Sequence, residues 1–204
     1  MLIIGILAYQ GAIEEHLKMT KKALESMKIS GEVKLVKKYD EIKEINGLII
    51  PGGESTTIGK LSNLSQTIQL IKQRIYEGMP VLGTCAGLVL LAKKVYDRVV
   101  GEVKQLLIGV MDITVERNAF GRQRESFEAD LEIPIIGEKK FRGIFIRAPI
   151  VREVGPNVEV LARLGNYIVA VKQGSIIGTA FHPELTDDPR IHQLFIKEIC
   201  NRLL

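Results

Sequence analysis

No stretch of this sequence holds the roughly 20 consecutive apolar residues that a membrane-crossing helix needs, so no bilayer span is expected. No basic segment precedes the apolar start Leu2 to Ala8, and Gln10-Gly11 and Glu14-Glu15 follow it, which argues against a secretory signal. The expected location is the cytoplasm. Only two cysteines occur in 204 residues, too few for a disulfide framework in a chain long enough to bury one substantial core, and both are expected to be reduced. The net charge of +4 is spread over dispersed pairs such as Lys21-Lys22 and Lys139-Lys140, with no accompanying aromatic cluster, so no nucleic-acid partner is expected. Neither the phosphate-cradling G-x-x-x-x-G-K-[ST] pattern nor a paired C-x-x-C or H-x-x-x-H spacing is present, and no metal or cofactor is implied. There is no Pro, Gly and Ser-rich linker and no internal repeat, so residues 1–204 are expected to form a single domain.

What is there begins with alternation of strand and helix. Leu2 to Leu7 reads as a strand buried on both faces, and Ile13, Leu17, Leu24 and Met27 recur at helical spacing. Short strands are expected at Val33 to Val36 and Gly47 to Ile50, then a polar loop, a helix carrying Ile68, Ile71 and Ile75, and a strand at Val81 to Gly83. This pattern predicts a mostly parallel sheet covered by helices on both sides, with ligands gathering at the carboxyl ends of the strands. From about Ile108 the texture becomes alternating, at 112–116, 127–133, 143–146, 158–161 and 167–171, which predicts an antiparallel extension. Asp188-Pro189 supplies an N-cap and a first-turn proline for a closing helix that ends near Leu203.

The candidate chemistry sits where the fourth strand ends. Cys85 is framed by small residues in Gly83-Thr84-Cys85-Ala86-Gly87, as a sharp strand-to-helix turn requires. The helix expected to follow, through Leu88, Leu91, Ala92 and Val95, would favour a thiolate at its N-terminus. Cys200 lacks such a frame and reads as packing. Of three histidines, His182 alone has a nearby carboxylate, Glu184, able to orient its ring while the other nitrogen faces Cys85. His16 and His192 read as surface or packing residues. A thioester mechanism needs two donors for the oxyanion, for which the N–H of Ala86 and a glycine amide in Pro51-Gly52-Gly53-Glu54-Ser55 are the candidates.

The segments Pro51 to Ser55, Gly83 to Gly87 and His182-Pro183-Glu184 resemble the three signatures of class I, or triad, glutamine amidotransferases. Further segments at 5–12, 115–123, 126–130 and 145–149 resemble the glutaminase subunits of pyridoxal 5′-phosphate synthases, so the likeness spans essentially the whole chain. The resemblance implies a flavodoxin-like doubly wound α/β sheet and hydrolysis of L-glutamine to L-glutamate and ammonia. It further implies an oxyanion hole at Gly53 and Ala86, and glutamine contacts from Gly53, Glu54, Ser55, Arg117, Ile146 and Arg147. The implied partner is a separate (β/α)8 synthase subunit that receives the ammonia through a tunnel and makes pyridoxal phosphate. An amino-acid substrate carries a carboxylate and an ammonium, and an arginine with an acidic or carbonyl acceptor suits both. Alternative readings are the glutaminase subunit of another synthase, such as imidazole glycerol phosphate synthase, a non-catalytic binding subunit, and an amidase of larger substrates.

Overall fold

A computed structural model describes residues 1–97, 100–120 and 126–204. Strand β1 (Leu2–Leu7) leads into helix α1 (Ile13–Met27), whose first turn places Glu14 and Glu15 at the positive end of the helix dipole. There follow β2 (Gly31–Val36), a short α2 (Tyr39–Lys43), β3 (Gly47–Ile50), α3 (Ser55–Leu64), α4 (Thr67–Tyr76), β4 (Val81–Thr84) and α5 (Ala86–Leu91). The second half holds β5 (Ala92–Asp97), β6 (Gly101–Glu102), β7 (Met111–Arg117), β8 (Ser126–Leu131), β9 (Phe141–Ile146), β10 (Ile150–Val154), β11 (Glu159–Leu164), β12 (Tyr167–Gln173) and β13 (Ile176–Thr179). Helix α6 (Arg190–Leu203) closes the chain and packs against α1.

The main sheet runs in the order β2-β1-β3-β4-β13-β12-β10-β7-β5-β6, with β11 also on β12. Its first five strands are parallel, and β3, β4 and β13 are buried at every position, as strands covered on both faces must be. From β13 onward the pairings β13-β12, β12-β10 and β10-β7 are antiparallel. Strands β8 and β9 form a separate antiparallel hairpin whose Phe127 and Phe145 rings stack with centroids 4.7 Å apart. The loops after β1, β3, β4 and β13, four neighbouring parallel strands, therefore open on one edge of the sheet.

The mixed α/β architecture with its antiparallel extension is as the sequence predicts, and four local readings need correction. The segment after β3 is not all loop, because Ser55–Leu64 is helical. Its two threonines and Gly59 are weak helix formers that blur the periodicity, and an N-cap at Glu54 and burial of Ile58 hold the helix instead. The helix after Cys85 stops at Leu91, and Ala92, Val95 and their neighbours form β5, whose backbone pairs in parallel with β7. Strand β10 was not expected, since Ile150-Val151-Arg152-Glu153-Val154 is short and carries two adjacent charges. Pro189 takes the N-cap position of α6, one residue before the expected place, while Asp188 accepts from the Arg190 N–H and guanidinium.

Candidate active site

The turn after β4 holds Cys85 at φ 49°, ψ −101°, outside the helical and extended regions, at a cost of about 1–3 kcal/mol. Two hydrogen bonds fix it, Cys85 N–H to the Thr179 carbonyl at 2.8 Å and Val89 N–H to the Cys85 carbonyl at 3.2 Å. The glycine frame has a steric cause. A Cβ on Gly87 would lie 2.1 Å from the Ile50 carbonyl oxygen, and one on Gly83 would lie 2.5 Å from Leu91 Cδ1 and 2.9 Å from the Gly87 carbonyl.

His182 leaves β13 beside this turn and is 7% exposed. Its backbone N–H donates to the Ile144 carbonyl of β9 at 2.8 Å, and its Nδ1 pairs with Glu184 Oε1 at 2.7 Å. Glu184 is buried in a single turn of 3-10 helix, Pro183–Leu185, so the carboxylate cannot drift from the ring. Burial works against an imidazolium here, but hydrogen bonds to Cys85 and Glu184 and the charges of both outweigh it and push His182 up to about 10. A Cβ on Gly52 would lie 2.4 Å from His182 Cε1, so only glycine admits the ring.

Cys85 and His182 open into a cavity of about 340 Å³ that Gly53, Glu54, Ser55, Ala86, Arg117, Ile146 and Arg147 also line. Every residue singled out from the sequence thus reaches this cavity except Glu184, which stands behind His182. Ala86 is the first residue of α5, where a backbone N–H has no partner within the helix. The Gly52 carbonyl accepts from the Ala12 N–H at 3.3 Å; in a trans peptide the Gly53 N–H then points the other way, away from α1. Arg117 meets Gln105 Oε1 at 3.2 Å and Glu54 Oε1 at 3.7 Å. Ser55 Oγ accepts from Gln105 Nε2 at 3.4 Å. Of the five non-glycine residues at positive φ among the described residues, three line the cavity: Cys85, Asn118 and Arg147.

Glu54 does structural duty as well. Its oxygens accept from Thr56 N–H at 3.1 Å and Thr57 N–H at 2.7 Å, capping α3. Burial, the largest single influence, raises its carboxyl, and the threonine hydrogen bonds together overcome this and bring it down to about 2. A depressed carboxyl favours the folded state above its ordinary range and loses that contribution as pH falls toward 2. Glu54→Ala is expected to cost about 1 kcal/mol through loss of the cap, read as a lower urea midpoint at neutral pH and a difference that shrinks as pH falls toward 2.

Several participants escaped the sequence reading. Gln10 accepts the Glu54 N–H through Oε1 at 3.1 Å, and Asn118 lines the cavity. The stretch around Arg117 also includes 121–123, which lies outside the described residues. Of the two readings offered for His16, surface or packing, the second holds: it is fully buried, with Nε2 3.0 Å from Thr84 Oγ1 and 3.4 Å from Glu184 Oε2. Its charged neighbours Glu14, Glu15 and Lys18 suggested exposure, yet it shares a helical face with buried Met19, Thr20 and Ala23. His192 is equally buried, 3.0 Å from His16, whereas Cys200 packs partly buried against the core as expected.

A thiol on a strained turn, an imidazole and a buried carboxylate in this order can form a thiolate and imidazolium pair. Comparison with known proteins agrees with the architecture. Among curated proteins, the pyridoxal 5′-phosphate synthase subunit PdxT of Nitrosopumilus maritimus is 50% identical over 193 residues, covering 95% of this chain and 94% of that protein. The protein of the same name from Staphylothermus marinus is 46% identical over 204 residues, covering 98% and 99%. A crystal structure of a glutamine amidotransferase superposes with a TM-score of 0.84 at 46% identity, covering 97% of this chain and 98% of that one. A glutamine amidotransferase from Thermotoga maritima shares the fold with a TM-score of 0.60 at 15% identity, covering 99% and 97%. The SNO glutamine amidotransferase family pattern matches residues 6–201, and the chain belongs to that family.

Proposed function

We propose that this chain hydrolyses L-glutamine to L-glutamate and ammonia as the glutaminase subunit of a pyridoxal 5′-phosphate synthase. The observation that carries the chemistry is Cys85 on its strained turn, coupled to His182 with Glu184 buried behind it, at the mouth of a cavity of about 340 Å³. Cys85 Sγ attacks the side-chain amide carbon of glutamine, and the oxyanion that forms is met by the N–H groups of Gly53 and Ala86. His182 gives its proton to the departing ammonia, leaving a thioester. Water then attacks the thioester carbon, His182 takes the water proton, and glutamate leaves as the thiol is restored. Arg117 and Arg147 suit the substrate carboxylate, and Glu54, Ser55 and the Ile146 carbonyl suit its ammonium.

The recipient of the ammonia is proposed from the relatives, which carry the name pyridoxal 5′-phosphate synthase subunit over nearly their whole length. Their shared name favours that synthase over imidazole glycerol phosphate synthase. We read residues 1–204 as one domain, because a single sheet runs from β2 to β6 through both halves of the chain. No helix among the described residues is long and apolar enough to cross a membrane, and the two free cysteines suit a reducing cytoplasm. The test is glutamate release from L-glutamine by the chain alone and with a (β/α)8 pyridoxal phosphate synthase subunit. Release that rises on adding that subunit is the expected result. Release that rises only with another ammonia-using synthase would replace the partner, and no release in any mixture would remove the glutaminase reading.

A further inference from the structure

Behind Glu184 lies a buried polar chain for which the reaction as derived has no use. His16 of α1 and His192 of α6 are both fully buried, with His16 Nδ1 3.0 Å from His192 Nε2 and their rings tilted at 48°. On its other side His16 Nε2 is 3.0 Å from Thr84 Oγ1 and 3.4 Å from Glu184 Oε2. Thr84 Oγ1 also accepts the Gly52 N–H at 3.0 Å. Among the described residues, Glu184 Oε2 and His192 Nδ1 have no hydrogen-bond partner of ordinary geometry.

Two proton arrangements are open to this chain, and they differ sharply in cost. With the proton of His16 on Nδ1, that N–H donates to His192 Nε2, so His192 carries its own proton on Nδ1, buried with no acceptor. The Thr84 hydroxyl can then donate to the lone pair of His16 Nε2, but that lone pair also lies 3.4 Å from Glu184 Oε2 and leaves the carboxylate oxygen without a donor. With the proton on Nε2, His16 offers one N–H to both Thr84 Oγ1 and Glu184 Oε2, and His192 Nε2–H donates to His16 Nδ1. The leftovers are then an unprotonated ring nitrogen on His192 and the rotatable proton of the Thr84 hydroxyl, a smaller penalty than a fixed orphaned N–H together with a lone pair against an anion. Burial, with the neighbouring His192 and His182 adding to it, keeps His16 well below its ordinary value, and burial brings His192 down to about 3, so both rings are neutral.

We propose that His16 is a positioning residue for the site, its neutral Nε2–H bridging the free oxygen of Glu184 and the hydroxyl of Thr84. One imidazole thereby ties the carboxylate that orients His182 to the residue that holds the Gly52 N–H, next to the proposed oxyanion donor Gly53. His192 fixes the tautomer from behind. This inference rests on the thiol chemistry proposed above.

The test compares His16→Leu with His16→Gln in steady-state glutaminase assays with the synthase subunit present. Leucine is expected to lower kcat about 10- to 100-fold with KM changed less than about twofold, the size of loss that slight misplacement of a reacting group produces. Glutamine, whose amide N–H can reach the same two oxygens, is expected to restore most of kcat. Wild-type kcat in the leucine variant, or a glutamine variant as impaired as leucine, would overturn the proposal. Imidazole 15N shifts of the unmodified protein give a reading that needs no variant: neutral Nε2–H rings at His16 and His192 are expected at neutral pH, and an Nδ1–H or charged His16 overturns it. An active-site failure is separable from this one. If the unmodified chain releases no glutamate, the glutaminase reading fails, while the ring shifts still decide the tautomer.

Discussion

Cys85→Ala is expected to abolish glutamate release, lowering the rate by a factor on the order of 10⁴ to 10⁶, as removal of a nucleophile does in enzymes whose groups act as a unit. In the proposed mechanism the sulfur is the atom that bonds to the amide carbon, and alanine offers His182 no nucleophile in its place. The substitution leaves the frame intact, because alanine keeps the Cβ and the backbone contacts to Thr179 and Val89 do not involve Sγ. It should also be readable without substrate. One of the hydrogen bonds that raise His182 comes from Cys85, so without it burial weighs more heavily and the imidazole should titrate below its value of about 10. The sign for stability follows. A raised histidine stabilises the fold fully below its ordinary value near 6.5 and loses that contribution as pH climbs through 10, so the variant should lose its share of stability at neutral pH and converge with the parent above pH 10. Proton NMR of the His182 ring and urea unfolding at two pH values would measure both effects. A variant that still turns over glutamine would show that the reaction does not run through Cys85.

Gly87→Ala is expected to damage both stability and turnover. The added carbon would sit 2.1 Å from the Ile50 carbonyl oxygen and 3.0 Å from its carbon, both backbone atoms of an inner strand. A flexible side chain could swing away, but β3 is paired on both sides, to β1 and to β4, and has no slack. Relief must come from pushing α5 off the sheet, which moves Cys85 at its head. Overpacking of this kind costs about 1–3 kcal/mol, and more where backbone meets backbone. Displacement of the sulfur by about 1 Å should cost a further 10²-fold in turnover. Urea unfolding and the glutaminase assay would record the two losses together. A Gly87→Ala protein as stable and active as its parent would mean that α5 does not lie this close to β3.

The parallel strands were legible because they are apolar on both faces and short, as in Gly47–Ile50, which the sequence marks to the residue. Cys85, His182 and Glu184 were legible because glycine at two fixed offsets and a carboxylate two residues from a histidine are local patterns with few other uses. What escaped was whatever depends on a partner far away in sequence. Ala92–Asp97 continues the apolar spacing of α5, and its neighbours β7 and β6 make it a strand. Helix α3 carries little periodicity of its own and stands on the Glu54 cap. His16 read as surface or packing beside its acidic neighbours, and its contacts come from α1, α6, β4 and the turn after β13 converging on it.

The pairing of β4 with β13, in register from Val81 opposite Ile176 to Thr84 opposite Thr179, has a consequence for the protein's birth. The strand that carries the nucleophile emerges from the ribosome long before the strand that completes it, and until then its flank is an open edge able to recruit a wrong neighbour. The base arrives with that same late strand. Docking of β13 therefore seals the edge and brings His182 to Cys85 in one event, so on the proposed mechanism the pair exists only once the late strand is in place.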